Sequence, residues 1–255
     1  MSSSLAQGGL SRYPTPSENI GGNTYMPLDP WQTSAAYDRA QTGEAAFIAK
    51  VYRWMAAGLA VTGLFALGVT ESPGLQRVIL GNPIVFFGLI IGELVMVGFF
   101  TRVVRTATFG TAALMFLAYC ALSGLTLSSI FFAYTRDSIA STFFITGGAF
   151  AAVSAFGTLT KRDLSGWAQF LFIGLVGIII ASVVNIFLRS DAVVFVTSCA
   201  GVLVFGGLAA YDAQRIKAFA AEGDDRLALH GALSLYLDFI NLFLVLLQLF
   251  GRRRE

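Results

Sequence analysis

Apolar residues gather into seven long runs along this chain, each closed by a short cluster of charged, glycine or proline residues. The first begins behind Lys50 and Arg53 and runs from Trp54 to about Thr70, with turn signals at Ser72–Gly74 and Gly81–Pro83 after it. The second covers about Ile84 to Phe100. A basic break at Thr101–Thr106 leads to a third, from about Ala107 to Tyr134, long enough to need a tilt or a kink, for which Gly124 is the candidate. The fourth covers about Ile139 to Leu159 and the fifth Trp167 to Leu188. The sixth starts near Ala192 and stays helical to about Lys217; the seventh starts near Gly231 and ends at Phe250. Each run is near or above the roughly 17–25 residues that a helix needs to cross a bilayer core. The pattern predicts an all-α polytopic membrane protein of seven helices. Small-residue pairs in segments four to six, Gly148 with Ala152, Gly174 with Gly177 and Gly206 with Ala210, predict close helix packing where lipid supplies no hydrophobic drive.

Composition agrees. Of 255 residues, 56% are hydrophobic and 13% charged, against about a quarter charged in soluble domains, and mean hydropathy is +0.71. The net charge of +2 lies in short loops and forms no patch of the kind that binds nucleic acid, so none is expected. Residues 1–45 hold four of the six prolines and no helical apolar period, so they are expected to be a disordered polar tail ahead of a seven-helix domain at 46–255. That tail has no early basic region followed by an apolar core, so insertion is expected to be directed by the first membrane segment. Cys120 and Cys199 lie in apolar runs without a second cysteine at a metal or redox spacing, and read as small buried hydrophobes.

Basic residues in short loops set orientation. With the N-terminus inside, the inner loops hold Lys50, Arg53, Arg102, Arg105, Lys161, Arg162, Arg215, Lys217 and Arg226, and the outer ones only Arg77, Arg136 and Arg189. The N-terminus is therefore expected in the cytoplasm. Arg252–Arg254 weighs the other way if segment seven crosses fully, which leaves a re-entrant seventh segment open.

Two aspartates stand out. An ionised carboxylate in hydrocarbon costs roughly 2.5–3.5 kcal/mol even on the lenient insertion scale. Asp212 in segment six and Asp238 in segment seven are therefore expected to meet. With the helix ends read above, they lie about 7 Å and about 10 Å from one membrane face, because the polar hairpin between the segments reverses the chain. Two carboxyls at one depth hydrogen-bond only by sharing a proton and then titrate as a unit. The plainer reading of Asp212 is an interfacial residue paired with Arg215 one turn on. Asp238, flanked by Leu235, Tyr236, Leu237, Phe239 and Ile240, resists such a reading.

Other polar residues each carry two readings. Asn241 and Ser234 lie three after and four before Asp238 on one helical face, where they either line an ion path or hydrogen-bond between helices. Glu93, deep in segment two with no basic residue beside it, is either part of an ion path or a neutral carboxyl bonded to a serine, threonine or asparagine of another helix. Asn185 reads as packing glue. His230, the one histidine, reads as a solvated hairpin residue, and its isolation excludes a histidine-based metal site or Ser–His dyad. No glycine-rich phosphate loop in a strand–helix context is present.

The runs AKVYRWMAAGL, YCALSGLTLSSIFFAYTRDSIASTFFIT, LTKRDLSGWAQFLFIGLVGIIIASVVNIFL, VFGGLAAYDAQRIK and ALSLYLDFINLFLVLLQLFG resemble the Bax inhibitor-1 family, and most its bacterial branch, over about Lys50 to Gly251. The resemblance implies six helices around a central seventh and a pH-sensitive leak of Ca²⁺ down its gradient in a bacterial inner membrane, with no cofactor. It also implies that Asp212 and Asp238 form the pH-sensing gate and touch the passing Ca²⁺. Some members latch the helix-six aspartate with an arginine of the second helix; this segment has none and offers Glu93. The bacterial branch also includes a protein that restrains a membrane-anchored, ATP-dependent protease, which implies a second reading as a non-transporting regulator of such a partner. A third is an intramembrane aspartyl protease, in which an aspartate dyad activates water. Against it, Leu235-Tyr236-Leu237-Asp238 stands where those enzymes have Gly-x-Gly-Asp, and no Pro-Ala-Leu follows, so no enzymatic activity is expected.

Overall fold

The computed structural model describes residues 30–254, the side chains of 30–40 excepted. The chain divides into two units, 1–40 and 41–255; of the first only helical backbone from residue 30 is described, and the second is the subject here. Among the described residues, seven helices are long and apolar enough to cross a membrane, as the hydrophobic pattern predicts. The chain is an integral, multi-pass, all-α membrane protein.

In order these are α1 (Pro30–Glu71), the short α2 (Pro73–Ile79), α3 (Pro83–Val103), α4 (Phe109–Leu127) with the single turn α5 (Ile130–Ala133), α6 (Arg136–Leu159), α7 (Ser165–Leu188), α8 (Asp191–Glu222) and α9 (Asp225–Phe250). Helix starts follow the local chemistry: Ser72, Asn82, Thr108, Thr135, Ser190 and Asp224 each cap the next helix by accepting from one of its first backbone N–H groups.

Several boundaries differ from the sequence reading. Residues 30–45 are helical, where the expected tail ran to 45; Ala, Gln and Glu there favour helix once Pro30 has set the first turn. The rest of that expectation, residues 1–29, lies outside the described residues. The break in the third crossing falls at Ser128–Ser129, between α4 and α5, and not at Gly124, which instead lets α4 touch α1: a Cβ there would lie 2.5 Å from the Thr62 carbonyl oxygen. The polar hairpin expected between Lys217 and Gly231 shrinks to Gly223 and Asp224. Gly223 has φ +68°, a left-handed conformation suited to glycine, and both flanks continue as helix because Ile216 and Phe219 on one side and Leu227, Ala228 and Leu229 on the other pack inward. Asp212 and Asp238 thus lie about 15 Å and about 20 Å from the turn, deeper than expected.

Polar links hold each face together. On the face of the α8–α9 turn, Arg105 pairs with Glu222 at 2.9 Å, Lys50 with Asp225 at 2.7 Å, and Arg226 donates to Asp224 and to the Ala107 carbonyl. The hydrogen bonds from Arg226 hold the Asp224 carboxyl below the usual range. On the opposite face Arg136 pairs with Glu71 at 3.2 Å, and the C-terminal backbone is pinned to the α5–α6 junction: Thr135 N–H donates to Arg252 O at 3.1 Å and Arg254 N–H to Ala133 O at 3.0 Å. Between these faces α9 is one unbroken helix of 26 residues, long and apolar enough to cross a membrane.

Burial is uneven. The most apolar window of α9 is 56% buried, those of α3 and α7 only 6%, and α9 packs most extensively on α8, then on α6 and α4. Of the residues in the pairs Gly148–Ala152, Gly174–Gly177 and Gly206–Ala210, Ala210 takes part in the closest approach to a neighbouring backbone, and its partner is a glycine outside those pairs. That glycine is Gly157, where a Cβ would overlap the Ala210 carbonyl of α8. Gly157→Ala is therefore expected to cost about 1–3 kcal/mol of stability by forcing α6 off α8, whereas Gly148→Ala, which points into open space, costs little. Thermal melts of the two variants in one detergent check this.

Candidate functional site

The stretch Leu233–Leu247 of α9 is buried on nearly every side, which is unusual for a membrane-spanning helix and explains why a polar group on it cannot reach solvent. Asp238 sits there with 6% of its surface exposed, between Leu235 and Tyr236 at 0% and Phe239 at 3%. Phe239 carries the aromatic wall onward, with ring centroids 5.4 Å from Phe150 and 5.3 Å from Phe143, both on α6. The surroundings are largely apolar and therefore of low dielectric. Asp238 Oδ2 is buried and has no donor among the described residues.

The acidic group that acts on Asp238 is Asp212 of α8, close enough for each carboxyl to influence the other's protonation. Two ionised carboxylates offer only acceptors, so a hydrogen bond between them needs one proton on the pair. The small side chains around Asp212 make the meeting feasible: Ala209, Ala210 and Ala213 are buried, and the contact at Gly157 holds this part of α8 against α6. Gln214, two residues on, anchors the same helix by donating to Arg162 O at 2.8 Å and accepting from Leu164 N–H at 2.9 Å.

Other residues singled out from the sequence lie elsewhere. Arg215 is exposed and stacks over the Phe219 ring at 5.1 Å; its charge acts on Asp212, but among the described residues the two form no ion pair or hydrogen bond. Arg102, exposed in the last turn of α3, extends that helix past the segment read from sequence, but Arg215 is the cation recorded as acting on Asp212 among the described residues. Glu93 accepts from Thr126 Oγ1 of α4 at 2.6 Å, a hydroxyl partner on another helix, and has no hydrogen bond to either aspartate among the described residues. Ser234 and Asn241 are half-buried on α9, with no bond to either aspartate among the described residues.

Three minor readings need correction. Asn185 accepts from Ser190 N–H at 2.9 Å and so caps the α7–α8 turn; it is not packing glue between helices. His230 lies within α9, because the hairpin is shorter than expected, and is half-buried 5.5 Å from the Phe219 ring. Cys199 is exposed on α8, whereas Cys120 is buried.

Sequence reasoning missed a buried junction of three helices. Thr62 of α1 bonds the Tyr236 hydroxyl at 2.7 Å and donates to the Cys120 carbonyl of α4 at 2.9 Å. Tyr236 has no exposed surface, and Phe116 and Tyr119 meet its ring edge-on. A tyrosine in the middle of an apolar helix is the signal that could have marked it, since a buried hydroxyl needs a partner.

With this geometry in hand, comparison with known proteins is informative. The family described as "Inhibitor of apoptosis-promoting Bax1" matches residues 44–255. "Inner membrane protein YbhL" of Escherichia coli is 42% identical over 234 residues, covering 89% of this chain and 100% of that protein. An uncharacterized protein of Borreliella burgdorferi is 42% identical over 215 residues, covering 82% of this chain and 93% of its own. An uncharacterized membrane protein of Streptococcus pyogenes serotype M3 is 37% identical over 223 residues, covering 85% and 96%.

The site's chemistry gives a stability test. An amide at 238 donates to the Asp212 carboxylate without needing a proton, so Asp238→Asn is expected to hold α8 and α9 together at high pH, where wild type loses its shared proton. Melting curves should show Asp238→Asn gaining on wild type as pH rises, while Asp238→Ala, which leaves Asp212 without a partner, loses about 1–3 kcal/mol at low pH.

Proposed function

The chain belongs to the Bax inhibitor-1 family, and from that premise we propose that it is a pH-sensitive cation leak that passes Ca²⁺ down its gradient through the membrane. Its gate is the contact between Asp212 and Asp238. In this reading α9 is the middle of the bundle, the N-terminus faces the cytoplasm, and the membrane is the bacterial inner membrane, as the name of the E. coli relative suggests.

The observation that supports the proposal is the Asp238 carboxyl, almost fully enclosed by apolar side chains, with the Asp212 carboxyl of the neighbouring helix close enough to act on it. While the pair holds one proton, the bond ties α8 to α9 and closes the path. Loss of that proton leaves two like charges in contact at low dielectric, and their repulsion drives the helices apart. The same deprotonation creates hard oxygen ligands. Two carboxylates supply at most about four of the six to eight oxygens that Ca²⁺ takes, so the ion is held long enough to pass and not long enough to stay. Raising the pH therefore opens the gate and lowering it closes the gate.

Purified protein in liposomes loaded with a Ca²⁺ dye is expected to admit Ca²⁺ faster as pH rises. Asp212→Asn combined with Asp238→Asn, which can neither lose the proton nor build up charge, should leak at one low rate across the same range. A double variant with an unchanged pH profile would show that the gate lies elsewhere.

A further inference from the structure

A second feature lies at the α8–α9 turn face and owes nothing to the leak. Lys50, Arg53, Trp54 and Ala57 stand at positions i, i+3, i+4 and i+7 of α1, one face of the helix, and with Phe109 at the start of α4 they line a cavity of about 620 Å³. From this we propose that the cleft between α1 and α4 binds an anionic phospholipid, with the headgroup phosphate on Lys50 and Arg53 and the upper acyl chain along Trp54, Phe109 and Ala57.

The lining is graded in the order that such a molecule requires. The cations come first, where α1 enters its apolar run; the aromatics follow, with Trp54 and Phe109 meeting edge-on at 5.9 Å; and Ala57, one turn deeper than Arg53, leaves room at the apolar end. Basic residues above an aromatic pair at the start of a span are the arrangement that meets phosphate at the membrane surface. A soluble anion would use the cations and leave the aromatic and apolar walls without a role.

Both cations are set for the task. Arg53 is exposed, and its one hydrogen bond among the described residues, Nε to Ala49 O, lies within its own helix. Lys50 lies 4.8 Å over the Phe109 ring and is held at 2.7 Å by Asp225, the first residue of α9. A phosphate in the cleft competes with Asp225 for that ammonium group. Lipid binding thereby bears on the first turn of α9.

The test uses the full chain in nanodiscs with Trp31→Phe and Trp167→Phe, so that Trp54 is the only tryptophan. Its fluorescence is quenched by a phospholipid with brominated acyl chains, either phosphatidylglycerol or phosphatidylcholine, at equal mole fraction in an otherwise identical bilayer. Each engaged cation is worth about fivefold in local enrichment, so the anionic lipid should quench at clearly lower mole fraction than the zwitterionic one. Arg53→Gln, at an exposed position that folding does not need, should shift the anionic curve toward the zwitterionic one; Arg53→Lys should restore it, and Arg102→Gln, a charge removed elsewhere, should not shift it. Inorganic phosphate should not displace the brominated lipid. Equal quenching by the two lipids, an anionic preference that survives Arg53→Gln, or displacement by inorganic phosphate would each overturn the proposal, the last by reassigning the cleft to soluble anions.

Discussion

A carboxyl group enclosed by hydrocarbon must be neutral or paired, and the pairing available to Asp238 is another carboxyl. Most of what surrounds it serves that contact. The two-residue turn at Gly223 and Asp224 sets α8 and α9 antiparallel and in register, so that residues ten before one helix end and thirteen after the other start come side by side. The absent side chain at Gly157 lets α6 support the α8 segment that carries Asp212. The Thr62–Tyr236 bond fixes the rotation of α9 two residues before Asp238. Each of these is a constraint on where one carboxyl stands relative to the other.

The frame that carries the pair is tied at both faces and loose toward lipid. Ion pairs join Arg105 to Glu222 and Lys50 to Asp225 on one face, and backbone bonds hold the C-terminal residues to the α5–α6 junction on the other. Exposed ion pairs contribute little individually, so their role is to fix ends more than to stabilise. Between the faces, few residues of α3 and α7 are fully buried. Because α8 packs extensively on α6 and α7 as well as on α9, any parting of α8 from α9 would have to carry or break that packing too.

The sequence made the crossings legible because each exceeds the length that the bilayer demands and each ends in charge, proline or glycine. It made the two aspartates legible because charge in hydrocarbon is expensive. Helix ends were less visible: Ala218–Glu222 and Asp225–His230 carry enough charge to look like loop, yet Phe219 in the first and Leu227, Ala228 and Leu229 in the second face inward, and periodicity near a helix end is too short to separate the two cases. That error placed His230 in solvent and set both aspartates too shallow. Partners far apart in sequence were invisible. Nothing local to Thr62 says that it will meet a hydroxyl 174 residues away, and Glu93 could be assigned a hydroxyl partner by type without Thr126 being identifiable.

The claim beneath this account is that Asp212 and Asp238 hold one proton in common. Infrared difference spectroscopy of the purified protein, taken as pH is raised, reads protonated carboxyl groups directly through their C=O stretch. The account predicts that a protonated-carboxyl band disappears in wild type with release of a single proton, and that the same change is missing from both Asp212→Asn and Asp238→Asn, since either variant removes the shared site. A band that persists unchanged in one of the single variants would mean that the two carboxyls titrate independently, and would contradict it.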